Sequence, residues 1–463
     1  MKKIATLVSV IVVLAMLLAA CGTPTAAPTE APVVTEAPVV TEAPVVTAAP
    51  TEEPAPAGLT CAEPVKIGLI TDLTGSLAIY GVMMPRSFML GMEWATGAAG
   101  SAGDKFDVTV TQENTFKIEN CEIVVYVRDD AGNAENTTTI ANELIEVQKV
   151  NLLVGTASSA NTTVLQGIAA QNKIPLIVAP AAANDITGKD FNEYTFRTSR
   201  NNYQDAINEC SYLVKNYTKL VQIAPDYAFG IGSAAAFRDA CTLAGATFVA
   251  DDVFAPATTT DFTPYMDPLL NSGAEAYIVT WAGSGFPALA RAAVDSGLND
   301  KMVLAATFID NVLMPLWYTD AVGTTNGILY HYSAPKNEIN DFLVAQEVAR
   351  YGVYPDLFDA DGMNAALMAV EAIKKTSGDV SGEALVKAIE GMEFAGPKGT
   401  VYIRPEDHVA IQDMYILKLE NLTDTTQNYY SFVETTRPEP PCLLPETLKD
   451  RCGSLPYGTL SGQ

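Results

Sequence analysis

The chain reads CAEPVKIGLITDLTGSLAIYG from Cys61 to Gly81, and this stretch predicts the opening of an α/β domain. Its apolar residues Val65, Ile67, Leu69 and Ile70 indicate a buried strand, and the Thr-, Asp- and Gly-rich residues that follow indicate a loop. An apolar run after Pro85 predicts a helix. In a doubly wound domain, ligands bind in loops beyond the carboxyl ends of strands, so residues 73–80 are a candidate ligand loop.

The same alternation of strand and helix recurs along the chain in two runs, which meet at a crossover near residues 194–200. Alternating strands and helices at this spacing predict parallel sheets, here in two lobes. We assign residues 59–198 to the first lobe and 199–327 to the second. The strand and helix pattern does not decide the lobe of three later segments, which are residues 327–377 and the final strands near 400–403 and 413–419. The assignment adopted is a return to the first lobe over 328–395, the end of the second lobe and a hinge over 396–435, and a C-terminal extension over 436–463.

Residues 1–20 have the features of a secretory signal. Lys2 and Lys3 precede an apolar segment that ends in Leu18-Ala-Ala-Cys21, and this segment is shorter than a usual membrane span. The tetrad resembles the lipobox of bacterial lipoproteins, which implies cleavage before Cys21 and lipidation of its sulfur. The alternative is an uncleaved N-terminal anchor. Either way, we expect the rest of the chain to lie outside the cytoplasm, held at the membrane through this segment alone.

Residues 21–58 are predicted to be a lipidated cysteine followed by a disordered stalk. Thr-Glu-Ala-Pro-Val-Val occurs three times, beginning at Thr29, Thr35 and Thr41. Frequent proline removes backbone hydrogen-bond donors and favours extended polyproline-II segments. The stalk therefore predicts a spacer between membrane and domain, although a tail without a role has the same composition.

The composition indicates a globular protein and argues against a nucleic-acid-binding one. With 48% hydrophobic residues, the chain resembles ordinary globular proteins, and about 400 residues after the stalk allow two cores. The formal net charge is −26. Such a charge repels phosphate backbones and anionic lipids, so we expect no nucleic-acid partner.

Six cysteines remain after Cys21, and an exported protein can pair them. Cys61 and Cys121 each precede a strand, and these strands would be parallel neighbours with equivalent ends together. Cys210 and Cys241 fall on helices that flank one strand, and Cys442 with Cys452 would close a C-terminal loop. The alternative is six reduced, buried thiols.

An ordered set of motifs resembles the branched-chain amino-acid (Leu/Ile/Val-type) binding proteins of ABC importers. The opening stretch from Val65 to Gly81 carries this resemblance together with several later motifs, which span residues 63–420 in order. These are VRDD (127–130), VGTASS (154–159), IPLIVAP (174–180), TFRT (195–198), APDYAFG (224–230) and GPKGTV (396–401). The resemblance implies a type I periplasmic-binding-protein fold, in which two doubly wound lobes joined by three crossovers close on a small molecule. It also implies ABC permease and ATPase subunits as partners.

Candidate ligand-binding residues follow from the chemistry of an amino acid. Ser158 and Ser159 precede a helix whose free amide groups would favour a carboxylate, although serine is equally a helix N-cap. Ala181, Ala182 and Ala183 occupy the loop whose backbone the family uses for the ligand's polar end. Ala183 stands where the family usually has threonine, so a hydroxyl is missing there. An amide or a small organic acid is therefore an alternative to an ordinary amino acid.

The second lobe offers an acid and several aromatic rings. Asp310 stands near the position where the family places an acid for the ammonium group, and it is also a good helix N-cap. Four aromatic residues at strand ends are candidates for apolar walls: Tyr80, Tyr227, Phe229 and Trp281. Tyr80 matches a family position that touches the ligand.

Two other classes of function are weighed against a transport receptor. A secreted α/β hydrolase would have to bring one of only two histidines, His331 or His408, to a serine. No nucleotide-binding motif, nucleophile elbow or metal-ligand spacing is present, so we expect no enzyme activity, cofactor or metal. A ligand sensor acting through a membrane receptor would share the same fold. We expect an extracytoplasmic receptor that delivers its solute to an ABC permease.

Overall fold

The computed structural model describes residues 58–98, 106–107, 109–283, 285–306 and 310–462. The predicted signal segment, Cys21 and the stalk up to residue 57 lie outside the described residues. Within the described part, no helix combines the length and the apolar character that crossing a membrane requires.

The first lobe is built on a six-stranded sheet with the order β2-β3-β1-β4-β5-β6. All neighbouring strands are parallel except β2 and β3. The strands are β1 (Val65–Thr71), β2 (Gln112–Ile118), β3 (Cys121–Asp129), β4 (Leu152–Val154), β5 (Leu176–Val178) and β6 (Thr195–Arg197). The helices are α1 (Ala78–Gly81), α2 (Met83–Thr96), α3 (Ala134–Glu143) and α4 (Ser159–Gln171). β1 is central and buried almost throughout, as an apolar run between two helical layers requires.

The second lobe carries a five-stranded parallel sheet with the order β11-β10-β7-β8, and β9 also pairs with β7. The strands are β7 (Lys219–Pro225), β8 (Thr247–Phe248), β9 (Val253–Ala255), β10 (Ala276–Val279) and β11 (Val303–Ala306). The helices are α5 (Asn202–Leu213), α6 (Ala228–Leu243), α7 (Thr263–Leu270), α8 (Phe286–Asp295) and α9 (Met314–Trp317). Both sheets therefore follow the doubly wound pattern predicted from the sequence.

The rest of the described chain divides between the lobes. Its helices are α10 (Glu338–Tyr351), α11 (Asp359–Lys375) and α12 (Gly382–Ile389). Its strands are β12 (Thr325–Ile328), β13 (Glu393–Gly396), β14 (Gly399–Ile403), β15 (Ala410–Ile411), β16 (Met414–Leu419) and β17 (Tyr430–Thr436). Helix α11 is buried along most of its length and packs against α2 in the first core. β12, β16 and β17 form an antiparallel sheet whose apolar residues join the second core.

The chain crosses between the lobes three times: from β6 to α5, from β12 to α10, and from β15 to β16. One boundary differs from the sequence assignment, which placed residues 396–435 at the end of the second lobe. Val401, Ile403 and Ala410 belong to the first core, because the β13–β14–β15 sheet packs there beside α11. The last return to the second lobe therefore occurs at β16.

Three disulfides join the cysteines in the predicted pairs: Cys61–Cys121, Cys210–Cys241 and Cys442–Cys452. The first pair forms because β1 and β3 are parallel neighbours, with Val65 opposite Ile123, so their starting ends lie side by side. The second pair joins α5 to α6 within the core of the second lobe.

Candidate functional site

A cleft between the lobes lies at the carboxyl ends of the strands of both sheets. It encloses about 440 Å³, part of which is open to solvent. The lining residues from the first lobe and its crossover are Leu77, Tyr80, Ala157, Ser159, Pro180, Ala181, Ala182, Arg200 and Phe358. Those from the second lobe are Tyr227, Phe229 and Ala282.

The lobes contact each other directly around this cleft, so the structure is a closed form. The Gly283 backbone N–H donates to the Tyr80 hydroxyl at 3.4 Å. On one side the Asn184 side-chain amide donates to the Gly232 carbonyl at 3.2 Å. Elsewhere the Asn311 N–H donates to the Asp356 carboxylate at 2.8 Å.

Aromatic rings form most of the cleft wall. Tyr80 and Phe358 meet edge to face with their ring centres 5.2 Å apart, and Tyr227 and Phe229 lie 5.9 Å apart. The Arg200 guanidinium lies 5.2 Å from the centre of the Phe358 ring, a distance suited to a cation–π contact. The cleft is therefore mainly apolar, with a guanidinium and a serine at its edges.

Asp72 shapes the loop that carries Leu77 and Tyr80. Its two carboxylate oxygens accept N–H groups from Gly75 at 2.5 Å and Leu77 at 2.9 Å. At Gly81, a methyl group would lie 1.7 Å from the Asp72 carbonyl oxygen, so only glycine allows the loop to close on the end of β1. This close approach holds Tyr80 against the cleft.

Asp72 also belongs to the one group of potential metal ligands found among the described residues, together with Asp129 and Asp130. Their ligand atoms lie within 4.8 Å of one another. These carboxylates accept hydrogen bonds from loop amides and hydroxyls, including Leu73 N–H and the Thr137 hydroxyl. The group therefore has an evident structural use in joining the first two strand-end loops.

The N-terminus of α4 separates the roles of the two candidate serines. Ser158 is the N-cap residue, and its hydroxyl accepts the Asn161 N–H at 3.5 Å. Ser159 lines the cleft, and its hydroxyl oxygen accepts the Ala183 N–H at 3.2 Å, which leaves its proton able to donate. Ser159 therefore both faces the cleft and joins the start of α4 to the alanine loop.

The alanine loop presents two of its three predicted residues to the cleft. Ala181 and Ala182 line it, whereas Ala183 is buried and its carbonyl accepts from the Arg197 guanidinium at 2.9 Å. Arg197 is fully buried, and burial lowers its pKa to about 9. Ala183 therefore does not face the cleft but holds the loop in place through its hydrogen bond with Arg197.

Asp310 lies behind the aromatic wall and is not among the residues that line the cleft. One of its oxygens caps the start of the segment leading to α9, accepting Val312 and Leu313 N–H groups at 3.1 and 2.8 Å. Burial raises the pKa of Asp310. Burial also raises the pKa of Tyr80, and the charge of Asp310 raises it further. The contacts of Asp310 are therefore those of a helix cap. Its effect on the cleft is electrostatic and acts on Tyr80.

Trp281 lines an outer chamber of the cleft together with Ser158 and Tyr227. Its ring is buried and meets Phe262 edge to face with centres 4.8 Å apart, inside the second core. Trp281 therefore supports the entrance more than the inner wall.

Arg200 and Phe358 are the cleft residues that the sequence analysis missed. Arg200 follows β6, where its guanidinium binds the Asp205 carboxylate at 3.2 Å and the Pro180 carbonyl at 3.0 Å. A capping box at Asn201, closed by Gln204, fixes the crossover beside it. Arg200 could have been found from the crossover motif, whereas Phe358 lies in a segment whose lobe the pattern left open.

The two histidines lie in different places, and neither lines the cleft. Burial lowers the pKa of His331 to about 4, so this ring is neutral near pH 7. It contacts the Ser333 hydroxyl at 2.7 Å and the Gln427 carbonyl at 3.1 Å. His408 stacks on Phe196 in the first lobe. Neither arrangement presents a base to a cleft serine.

Known proteins share this architecture. Residues 64–426 match the family described as "Periplasmic binding protein". The Leu/Ile/Val-binding protein homolog 6 of Brucella melitensis biotype 1 is 26% identical over 389 residues, which cover 81% of this chain and 92% of the relative. A crystal structure described as an ABC-type branched-chain amino acid transporter from Rhodopseudomonas palustris CGA009 is 32% identical. It has a TM-score of 0.66 over 81% of this chain and 96% of that one. A solute-binding protein of an ABC transporter from R. palustris BisB5, in complex with 3,4-dihydroxybenzoic acid, is 25% identical. Its TM-score is 0.68 over 81% of this chain and 96% of that one.

Proposed function

The chain belongs to the periplasmic binding protein family, and on this premise we propose that it captures a small carboxylate-bearing molecule with an aromatic or bulky apolar body for an ABC importer. The observation that carries the proposal is a closed cleft with aromatic walls, into which the N-terminus of α4 presents Ser159. The hydroxyl of Ser159 and the amide groups at the helix start suit a carboxylate. Tyr80, Phe229 and Phe358 suit a ring.

The descriptions of two relatives suggest two kinds of ligand for this cleft. The R. palustris BisB5 protein holds a dihydroxybenzoic acid, which combines a ring with a carboxylate. The R. palustris CGA009 relative is described as a branched-chain amino acid transporter. An amino acid brings an ammonium group, for which Asp310 is the predicted acid, although Asp310 does not line the cleft. The aromatic acid is therefore the first candidate and an amino acid is the second.

We further propose that Cys21 anchors the protein to the membrane by lipid and that residues 22–58 act as its spacer. The family works outside the cytoplasm, where a receptor held near its permease and ATPase subunits meets them at a raised local concentration. The solute is released unchanged. Mass spectrometry of the N-terminus of the protein isolated from cells tests the anchor.

A thermal-shift screen tests the ligand class. The protein, produced with Cys21→Ser, is expected to melt at a higher temperature with benzoic and hydroxybenzoic acids than with amino acids or amides. Ligand at 100 times Kd adds about 2.7 kcal/mol to the unfolding free energy. If no acid or amino acid raises Tm while the protein hydrolyses an ester or a peptide, the receptor proposal is overturned.

Replacing each serine at the α4 N-terminus separates capping from ligand contact. Ser159→Ala is expected to weaken binding of the best acid by about 1.5–3 kcal/mol, roughly 10- to 150-fold in Kd, because a hydrogen bond to a charged group is lost. Ser158→Ala is the matched control. Loss of the cap is expected to lower stability by about 0.5–2 kcal/mol and, because Ser158 lies in the outer chamber, to change Kd less than Ser159→Ala does. Titration calorimetry and thermal melting measure both. Equal Kd values for wild type and Ser159→Ala would remove Ser159 from the site.

A further inference from the structure

The chain beyond β17, residues 437–462, lies outside the residues that match the family. We term it the C-terminal strap. The Cys442–Cys452 disulfide closes its central loop. The Cys442 N–H donates to the Pro456 carbonyl at 2.8 Å, and the Gly458 N–H donates back to the Cys442 carbonyl at 2.9 Å. The strap is therefore a small folded unit with its own covalent closure.

One side of the strap is attached to the first lobe. Arg451 donates to the Glu406 carbonyl at 2.7 Å and to the Glu390 carboxylate at 2.6 Å. The hydrogen bond with His408, and after it that from Arg451, lowers the pKa of Glu390 to about 2, so it is charged at neutral pH. Arg404, after β14, donates to the Pro440 carbonyl of the strap at 2.9 Å. These contacts hold the strap firmly on the lobe that contains α12 and β14.

The other side of the strap is attached to the second lobe. The Leu460 N–H donates to the Asp239 carboxylate of α6 at 2.8 Å. Leu443 and Leu460 both pack against the apolar cluster between α5 and α6, which includes Phe237. Burial of apolar side chains is the main source of such attachment.

These two attachments flank a direct contact between the lobes. Asn184 of the first lobe donates to the Gly232 carbonyl of α6, and Leu443 packs beside Gly188, four residues after Asn184. Opening the cleft there would pull α6 away from the first lobe. The strap would then have to release Leu443 and Leu460 from the apolar cluster between α5 and α6, or Arg451 from the first lobe.

We propose that the C-terminal strap clamps the two lobes together and shifts their equilibrium toward the closed form. The inference rests on the proposed opening and closing around a solute. Contacts made only in the closed form stabilise that form, because a conformational equilibrium follows the difference in interaction free energy between its states. The disulfide keeps the two attachments linked, so strain on one is transmitted to the other.

Leu460→Glu tests the clamp by placing a charge against the apolar cluster between α5 and α6. Leu448→Glu is the matched control, because Leu448 is an exposed strap residue outside that cluster. Spin labels go on exposed positions in each lobe, Val147→Cys and Leu316→Cys, in the full chain with Cys21→Ser. Pulsed electron paramagnetic resonance on ligand-free protein then measures the distance between the lobes.

The expected result is a shift to longer distances and a broader distribution for Leu460→Glu, with Leu448→Glu matching the parent. Leu460→Ala, which removes the contact without adding charge, is expected to shift the distances less in the same direction and guards against misfolding of the glutamate variant. Unchanged distances in both Leu460 variants, with proteolysis showing the strap released, overturn the clamp. The measurement needs no ligand, so an unsuccessful solute screen does not decide it.

Discussion

Arg86→Met is expected to lower the free energy of unfolding by about 3–5 kcal/mol, because it leaves two buried carboxylates without their cation. Arg86, on α2, forms two hydrogen bonds to Asp359 at 3.1 and 2.5 Å and lies 3.1 Å from the Glu347 carboxylate. Burial alone would lower the pKa of Arg86, but the charges of Asp359 and Glu347 raise it above its usual value.

This ion pair also supports the cleft. Asp359 begins α11 directly after Phe358, and its carboxylate accepts the Asp356 N–H at 2.7 Å. Arg86 thus joins the helix that follows Tyr80 to the loop that carries Phe358. We therefore expect its loss to loosen the wall as well as the core.

Urea denaturation measures the effect through the midpoint at an unchanged m-value. Lys374→Met is the control, since its pair with Glu371 is 2.8 Å long but exposed, and such pairs contribute about 0–1 kcal/mol. Adding Asp359→Asn to Arg86→Met is expected to recover part of the loss. A cost below about 1 kcal/mol for Arg86→Met would show that water or rearranged side chains replace the cation.

The sequence predicted the parts of the fold that depend on local pattern. One apolar run between proline and a polar loop predicts β1 as a buried strand, and the Cys61–Cys121 pair follows from its parallel neighbour β3. The lobe of residues 396–411 is not predictable in this way, because short antiparallel strands carry no signal of the sheet or helix against which they pack.

The candidate site was predictable where it follows strand ends. Tyr80, Ser159, Ala182 and Phe229 lie at the cleft because parallel sheets bring their carboxyl ends together. Phe358 was missed because packing between α11 and α2, which are distant in sequence, brings it to the cleft. Their contacts with a ligand remain predictions.

Glu209→Gln is expected to remove a pH dependence of stability between about pH 5 and 8. Glu209 is fully buried on α5, and burial raises its pKa from 4.5 to about 8. The hydrogen bond that its carboxylate accepts from the Gly327 N–H at 2.5 Å acts in the opposite direction but is the smaller effect. Folded protein therefore binds one proton more than unfolded protein in this interval. Stability from this group is fully present below pH 4.5 and is lost as pH rises through 8.

The loss by pH 8 is expected to be on the order of 3–5 kcal/mol, since one pKa unit corresponds to about 1.4 kcal/mol. Glutamine keeps an oxygen for Gly327 and cannot ionise, so Glu209→Gln is expected to be the more stable protein at pH 8 and similar to wild type at pH 5. Denaturation curves at each pH give the difference in unfolding free energy between the two proteins. Asp205 and Asp361, whose pKa values burial raises to about 6, contribute equally to both proteins, so their pH dependence cancels in this difference.

Glu275→Gln is the control. Hydrogen bonds from Thr218 and Lys219 lower the pKa of this exposed carboxylate, so its contribution to stability changes only at lower pH. Parallel stability curves for wild type and Glu209→Gln would mean that Glu209 is charged in the folded state and that the core between α5 and β12 admits water.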